Sequence, residues 1–200
     1  YGTVSDLATA PDELDAVMAS LCYRTDYEST DGDDPAALGN RIAEAVQQQM
    51  MRIAAYSNFG DMATRPTLDL AQRLSALAPM ADAKVFFTSG GSDAVDTAVK
   101  LVRRYWASVG QPKRTTIITR TRSYHGMHLA GTSLAGIPAN QADHGPLDPN
   151  VVNVDWDDAD ALAMAIDELG SDRVAAFFCE PVIGAGGVYP APRGYLEAVR

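Results

Sequence analysis

The stretch from Val85 to Trp106, VFFTSGGSDAVDTAVKLVRRYW, constrains the fold more than any other part of the sequence. The four apolar or β-branched residues Val85–Thr88 are typical of a buried strand. Apolar residues at helical spacing then predict an amphipathic helix over Ser92–Trp106. Two glycines and a serine therefore stand where a predicted strand meets a predicted helix. We call Gly90, Gly91 and Ser92 the glycine junction.

Strands and helices continue to alternate after Trp106. The hydrophobic pattern predicts three more strands, at Thr115–Thr119, Val151–Val154 and Val174–Cys179. It also predicts one more helix, at Asp157–Leu169, which ends on Gly170. The last ten residues, APRGYLEAVR, predict the first turns of another helix. This alternation predicts an α/β domain with a mainly parallel sheet.

The chain before Val85 has a different character. Its first 40 residues are acidic, and Asp26–Pro35 predicts a solvated loop because its charges and turn formers have little to bury. Helical spacing follows in Asn40–Met51, behind an Asn40 cap, and again in Thr64–Pro79. We expect two helices ahead of the α/β domain.

Composition limits the partners of this protein. Sixteen basic and 26 acidic residues give a net charge of −10, which disfavours nucleic acids and anionic membranes. The two cysteines, Cys22 and Cys179, form no CxxC pair, which favours a reducing compartment and buried thiols. No run of about 18 apolar residues and no secretory signal pattern occurs. We expect a soluble cytoplasmic protein.

The glycine junction has the chemistry of an anion site. Glycines let the backbone approach an anion closely, and the first free amides of a helix carry the positive end of its dipole. Ser92 would then be the N-cap and a hydroxyl donor. The spacing is neither a Walker loop, which needs a lysine after the glycines, nor GxGxxG. An ordinary capped turn explains the junction equally well.

Three segments of the chain occur in an order that resembles a known family. They are SGGSDAVDTAVKLVRRYW, then SYHGMHLAGTSLAG at 123–136, then VAAFFCEPVIGAGGVYPAPRGYLEAVR at 174–200. Their order and spacing resemble class III aminotransferases, fold-type I enzymes that use pyridoxal 5′-phosphate. VRRYW followed by TTIITR is similar to the amine:pyruvate and ω-amino acid:pyruvate transaminases. The resemblance covers residues 14–200.

The resemblance implies a fold and a division into domains. It implies a three-layer α/β architecture with a mainly parallel sheet. Residues 51–200 would form the first half of the large cofactor-binding domain. Residues 1–50 would supply part of a small N-terminal domain and its connecting helix.

The resemblance also implies roles for the motifs. The phosphate would lie on the glycine junction, as the physical argument suggested. Tyr124 of the Tyr-His-Gly motif would stack on the pyridine ring, a contact worth about 0.5–1.5 kcal/mol. From the residues alone, Tyr124 is as well explained as a core or surface tyrosine. His125 would either bond the partner of the ring nitrogen or cap the loop.

Glu180 follows an apolar strand that Pro181 ends. Open α/β sheets place ligands at the carboxyl ends of their strands. The resemblance implies that Glu180 lies near the cofactor as a polar or gating group, and a salt-bridged edge carboxylate is the alternative. The glycine-rich residues 184–187 predict either a mobile loop beside the pocket or a plain turn.

Other features bear on assembly, substrate and metal. Phe59 matches an aromatic residue that the family presents to the neighbouring subunit, which implies at least a homodimer, and core packing is the alternative. The segment ASLCYRTDYESTDGDDPAALGNR departs from the Gly-aromatic pattern of the family, so substrate preference stays open. His125 and His128 form an HxxH pair without a third ligand at metal-site spacing, and we predict no metal site.

The implied reaction moves an amino group from an amine or ω-amino acid to a 2-oxo acid such as pyruvate. It requires a Schiff-base lysine and a carboxylate on the pyridine nitrogen. Lys84, Lys100 and Lys113 lie outside the family's lysine context, so we expect both groups beyond Arg200 and interpret the chain as a fragment. An aminomutase or decarboxylase of the same fold, and a non-catalytic cofactor-binding protein, remain alternatives.

Overall fold

The computed structural model describes residues 35–56, 60 and 62–200. The predicted loop before Pro35, Cys22 and Phe59 therefore lie outside the described residues. The chain divides into two compact units, residues 1–85 and 86–200. The predicted domain boundary near residue 50 stays a prediction.

The first unit contains both of the helices predicted there. α1 spans Pro35–Arg52, so the predicted start at an Asn40 cap is wrong. Proline is favoured at the first helical position, and the helix begins there, which leaves Asn40 inside it. α2 spans Arg65–Leu77, and the Thr64 side chain caps it by accepting from the Thr67 amide. The start of α2 confirms the prediction at Thr64.

A parallel sheet forms the centre of the second unit. Its strands are β1 (Thr116–Arg120), β2 (Val151–Val154) and β3 (Val174–Phe177), in the order β2-β1-β3. Both pairings are parallel, with Ile117 opposite Val151 and Ala176. Every residue of β1 is buried because this strand has neighbours on both edges. The predicted parallel sheet is confirmed.

Helices cover both faces of this sheet. The α-helices of the second unit are α3 (Gly91–Ser108), α4 (Leu129–Leu134), α5 (Ala159–Leu169) and α6 (Tyr195–Ala198). Successive strand residues point to opposite faces. Ile117 packs with residues of α3 and α4, whereas the next residue, Ile118, packs with Leu162 of α5. The result is a three-layer α/β arrangement.

Two predictions about strands were wrong. Residues 85–88 form no strand, because a strand exists only through a paired neighbour and the described chain supplies none there; Phe86 and Phe87 are exposed. β3 ends at Phe177 instead of Cys179. Among the described helices, none combines the length and apolar content needed to cross a bilayer.

A short hairpin follows β3. β4 (Val182–Ile183) and β5 (Tyr189–Pro190) pair antiparallel. The Gly187 and Val188 amides both donate to the Gly184 carbonyl, at 3.0 and 3.2 Å. Of the two alternatives for residues 184–187, the structure therefore shows a hydrogen-bonded turn.

Candidate functional site

The carboxyl ends of β1 and β3 bring two distant motifs together. β1 and β3 are adjacent and parallel, so the loops that leave them lie at the same edge of the sheet. The Tyr124 amide donates to Glu180 Oε1 at 2.9 Å, and the Gly184 amide donates to Glu180 Oε2 at 3.1 Å. This is the edge at which open α/β sheets bind ligands.

The glycine junction opens helix α3 without a side-chain cap. Gly90 is the N-cap, with extended backbone, and its carbonyl accepts from the Ala94 amide at 3.0 Å. Ser92 is thus the second helical residue, and the prediction that it is the N-cap is wrong. Because Gly91 already has helical geometry, the Ser92 hydroxyl is directed elsewhere and accepts from the Met127 amide at 3.1 Å.

The first turn of α3 is suited to an anion. The amides of Gly91, Ser92 and Asp93 have no acceptor among the described residues, as is usual for the first turn of a helix. A Cβ built on Gly90 or Gly91 would meet no atom of the described chain within 4 Å. An oxyanion can therefore approach these amides closely, with the helix dipole in its favour.

The loop from Thr121 to His128, which we call the tyrosine loop, packs against this turn. Gly126 has φ +105°, and a Cβ there would lie 2.7 Å from Ser92 Oγ and 2.9 Å from Ser92 Cα. Only glycine fits such a contact without movement. The loop is thereby held directly beside the start of α3.

Two further contacts join α3 to α4 and to the end of the tyrosine loop. Asp96 of α3 accepts from the Gly131 amide at 3.1 Å and so caps α4, which begins directly after the loop. Asp93 approaches His128 of the loop, with 3.5 Å between Oδ1 and Nδ1. The Asp93 carboxylate, the charge in the first turn that would repel an anion, is therefore directed toward a histidine.

Tyr124 and His125 have opposite environments although they are neighbours. Tyr124 is 39% exposed, which leaves aromatic surface available to a ligand. His125 is buried, with Nε2 3.1 Å from Thr119 Oγ1 and its ring edge against Phe178. Burial lowers the pKa of His125, and Arg120 acts in the same direction while Glu180 opposes it. Burial therefore favours the neutral imidazole.

Arg120 is an important residue that the sequence analysis missed. It is the last residue of β1 and only 1% exposed. One guanidinium nitrogen donates to the Trp156 carbonyl at 3.2 Å, and another donates to the Glu180 carbonyl. A charged residue that ends the apolar strand TIITR was the available signal, since buried arginines usually bind something specific.

Other features of the described residues add little chemistry. Cys179 is partly buried, and burial raises the pKa of its thiol. Within the described ranges, no three metal-ligating side chains cluster. A shallow hollow in the first unit is lined by Gln72, Ser75 and Met80, with Asp82 as the single titratable side chain of its lining, and offers little chemistry.

Sequence comparison connects these motifs with known enzymes. The family model for class III aminotransferases matches residues 37–200. A mitochondrial gamma-aminobutyrate transaminase from Oryza sativa is 37% identical over 80% of this chain and 35% of its own length. The putrescine–pyruvate aminotransferase of Pseudomonas aeruginosa is 34% identical over 94% of this chain and 42% of its own length. The chain thus spans about two fifths of these relatives.

Solved structures agree with the sequence relatives. A transaminase from the marine bacterium Virgibacillus superposes with a TM-score of 0.77 at 40% identity, covering 80% of this chain and 38% of that one. An (S)-enantioselective omega-transaminase from Thermomicrobium roseum gives a TM-score of 0.77 at 36% identity, with 80% and 40% covered. Because the family model spans most of the chain and the fold agrees, the chain belongs to the class III aminotransferase family.

Proposed function

We propose that this chain holds the phosphate and one ring face of pyridoxal 5′-phosphate in a transaminase. One observation carries the proposal: the uncapped first turn of α3 lies directly beside the loop that presents Tyr124. The Ser92–Met127 hydrogen bond of 3.1 Å and the Gly126 contact join these two elements. To hold a phosphate and the flat ring attached to it, a protein needs an anion-binding site next to an aromatic side chain. The anion-binding site here is the first turn of α3, at Gly90–Ser92, which we call the phosphate seat.

Each residue of the seat has a separate task. The Gly91 and Ser92 amides would donate to the phosphate dianion, and the two glycines keep its approach open. The Ser92 oxygen already accepts from Met127, so its hydroxyl proton stays available for a phosphate oxygen. His128 would draw the Asp93 carboxylate away from the dianion.

Tyr124 would pack against the cofactor ring, and His125 would support it from the interior. When bound, pyridoxal phosphate supplies the electron sink that transamination requires. The contact between His125 and Thr119 of β1 would fix the loop on its buried side, which would limit the positions that the Tyr124 ring can adopt. Among the described residues, His125 thus contacts Thr119 and so supports the loop. We also propose that it hydrogen-bonds the group that binds the pyridine nitrogen of the cofactor.

The substrates are proposed from the relatives. The names of the rice and Pseudomonas enzymes specify an ω-amino acid, a diamine and pyruvate. We therefore propose transfer from an amine or ω-amino acid to a 2-oxo acid, with pyruvate preferred.

The lysines near the phosphate seat bear on the Schiff base. Lys100 lies nine residues along α3 from Gly91, about 13 Å away, and Lys113 lies beyond the end of the helix. We propose that neither of them forms the Schiff base.

The test uses the protein that carries this chain, titrated with pyridoxal phosphate and assayed with putrescine or gamma-aminobutyrate and pyruvate. We expect a saturable absorbance change and alanine formation, and borohydride should fix the cofactor to a lysine other than Lys84, Lys100 or Lys113. Tyr124→Ala should weaken cofactor binding roughly two- to tenfold, and Tyr124→Phe much less, because stacking needs only the ring. Absence of binding, or equal effects of both variants, would contradict the proposal.

Assembly belongs to the same proposal. Phe59, outside the described residues, would reach the neighbouring subunit's pocket, so the active protein should be at least a homodimer. Sedimentation velocity at the assay concentration measures this. A fully active monomer would exclude a shared pocket.

A further inference from the structure

Glu180 uses both carboxylate oxygens on backbone amides of this chain. Oε1 accepts from the Tyr124 amide at 2.9 Å, and Oε2 accepts from the Gly184 amide at 3.1 Å. Hydrogen bonds to a charged acceptor are about twice as strong as those between neutral groups. The carboxylate therefore joins the tyrosine loop to the β4–β5 hairpin, two segments more than 50 residues apart.

We propose that Glu180 is a positioning residue that sets the Tyr124 ring, and that it does not itself contact the ligand. This inference rests on the proposed function only for the role of Tyr124. The carboxylate would hold the Tyr124 backbone at its own amide nitrogen, which is bonded to the Cα that carries the aromatic side chain. Its loss would let the ring move relative to the glycine junction.

The backbone of Glu180 is fixed as firmly as its side chain. Its carbonyl accepts from the guanidinium of Arg120, which also donates to the Trp156 carbonyl at 3.2 Å. Arg120 is buried at the end of the central strand and has little freedom. A carboxylate anchored in this way can transmit the position of the sheet to the tyrosine loop.

The hairpin supports the same loop at a second place. Arg122 donates to the Tyr189 hydroxyl of β5 at 2.7 Å, and Gly186 packs so closely on the Arg122 carbonyl that a Cβ would overlap it. Arg122 has φ +67°, an unfavourable conformation for arginine, and its amide donates to the Gly136 carbonyl at 2.8 Å. Such strain persists only where the surroundings fix the backbone.

These contacts place Tyr124 between two supports. The Ser92 hydroxyl of α3 holds the loop at the Met127 amide, and the Glu180 carboxylate holds it at the Tyr124 amide. The first support also belongs to the phosphate seat, whereas the second lies at the hairpin. Glu180 would thus set the distance between the seat and the aromatic face.

The first experiment measures amide hydrogen exchange at single-residue resolution without cofactor. Compared with the wild-type protein, Glu180→Ala should speed exchange of both the Tyr124 and the Gly184 amides at least about tenfold, because both lose their acceptor. Glu180→Gln should release only one of the two, since its amide group has one acceptor oxygen. Glu168→Gln, an equal charge change on the exposed face of α5, is the matched control and should leave both unchanged.

The second experiment is a double-mutant cycle on pyridoxal phosphate affinity with Glu180→Ala and Tyr124→Ala. Glu180→Ala should weaken binding several-fold in the wild-type background and less than about twofold when Tyr124 is alanine, because its effect passes through the ring. It should also shift the absorbance maximum of the bound cofactor. Multiplicative losses would mean direct contact and would overturn the proposal, as would unchanged exchange at Tyr124 in Glu180→Ala.

The two experiments separate this inference from the proposed function. If the wild-type protein binds no pyridoxal phosphate, the proposed function fails, while hydrogen exchange still decides whether Glu180 holds the loop. If the cofactor binds and exchange is unaffected, the proposed function stands and the positioning role fails. Should Glu180→Ala prove unstable, the exchange pattern of Glu180→Gln decides alone.

Discussion

Two helices on opposite faces of the same sheet begin in opposite ways. α5 starts with Asp158, whose Oδ1 accepts from the Asp160 and Ala161 amides at 2.9 and 3.2 Å. α3 starts with Gly90, which has no side chain to offer, and its first amides have no acceptor in the described chain. The carboxylate of Asp158 closes the start of α5 to anions, and the start of α3 is left open to them.

The difference shows what an uncapped helix start costs in stability. Glycine at the N-cap is less favourable than aspartate by roughly a few tenths of a kcal/mol, and α3 lacks this stabilisation before any ligand binds. Packing along the rest of the helix compensates, since Val99 is buried in the core and Trp106 Nε1 donates to the Ala175 carbonyl at 2.8 Å. α3 is thus stabilised along its length, so its first turn can serve a ligand.

The largest effect should come from giving α3 the cap of α5. Gly90→Asp should lower pyridoxal phosphate affinity about a hundredfold, because a carboxylate would occupy the amides and repel the dianion. The Gly90 backbone is extended, which any residue adopts, and its Cβ would meet nothing within 4 Å, so folding should be unaffected. Absorbance titration measures the affinity, and thermal unfolding without cofactor measures stability.

Gly90→Asn is the matched control for that variant. Asparagine caps as well as aspartate but carries no charge, so it should weaken binding less than Gly90→Asp. Equal losses would show that occupied amides matter and charge does not. Undiminished affinity in both variants would mean that the cofactor phosphate lies elsewhere.

A smaller loss should follow from steric obstruction alone. Gly91→Val places a branched side chain in the space that the phosphate would occupy, and we expect roughly tenfold weaker binding. Gly39→Val is the control, because Gly39 is also a helical glycine whose Cβ would meet nothing within 4 Å. Both variants should unfold near the wild-type temperature. Equal affinity in the two would remove Gly91 from the seat.

The longer helices and the three parallel strands of the second unit could be predicted because their signals are local, whereas α4 and the short β4–β5 hairpin were missed. Apolar spacing located α3 and α5, and the pair Asp158 and Gly170 marks the ends of α5 as a cap and a helix stop. β2 coincides with its predicted bounds, Val151–Val154. The predicted strand at residues 85–88 failed because apolar composition alone cannot show whether a neighbouring strand exists.

The sequence could group the candidate site residues, whose roles stay predictions, but it could not give their geometry. The sequence connected the glycine junction, Tyr124 and Glu180 with one cofactor, through motifs that resemble a family. It could not show that Ser92 binds Met127, that Glu180 bridges two backbone amides or that Arg120 holds the Glu180 carbonyl. These contacts depend on which strands lie side by side, and no local pattern records that.

Removing the cap of α5 should affect stability without affecting the ligand. Asp158→Ala leaves two amides without their acceptor and should cost about 1 kcal/mol of the free energy of unfolding. Pyridoxal phosphate affinity should stay at the wild-type value because α5 covers the other face of the sheet. Denaturant unfolding and absorbance titration measure the two quantities. A loss of affinity beyond about twofold would contradict the division of roles between the two helix starts.

The smallest expected effect is a difference between the two faces of the sheet in how their stability responds to pH. Burial lowers the pKa of His125 below the ordinary value of 6.5, with Arg120 acting in the same direction and Glu180 against it. Below pH 6.5 the unfolded chain therefore binds a proton that the folded protein resists, and stability falls with falling pH until the folded pKa is passed. Protection factors, which correct amide exchange for its intrinsic pH dependence, should fall from pH 6.5 to 5 more in the tyrosine loop and α4 than in α5, which contains no histidine. His125→Gln should remove this difference, because glutamine can still bond Thr119 but does not titrate, and the exposed His144→Gln should preserve it. If acidification lowered the protection factors on both faces equally in the wild-type protein, His125 would not be the group that responds.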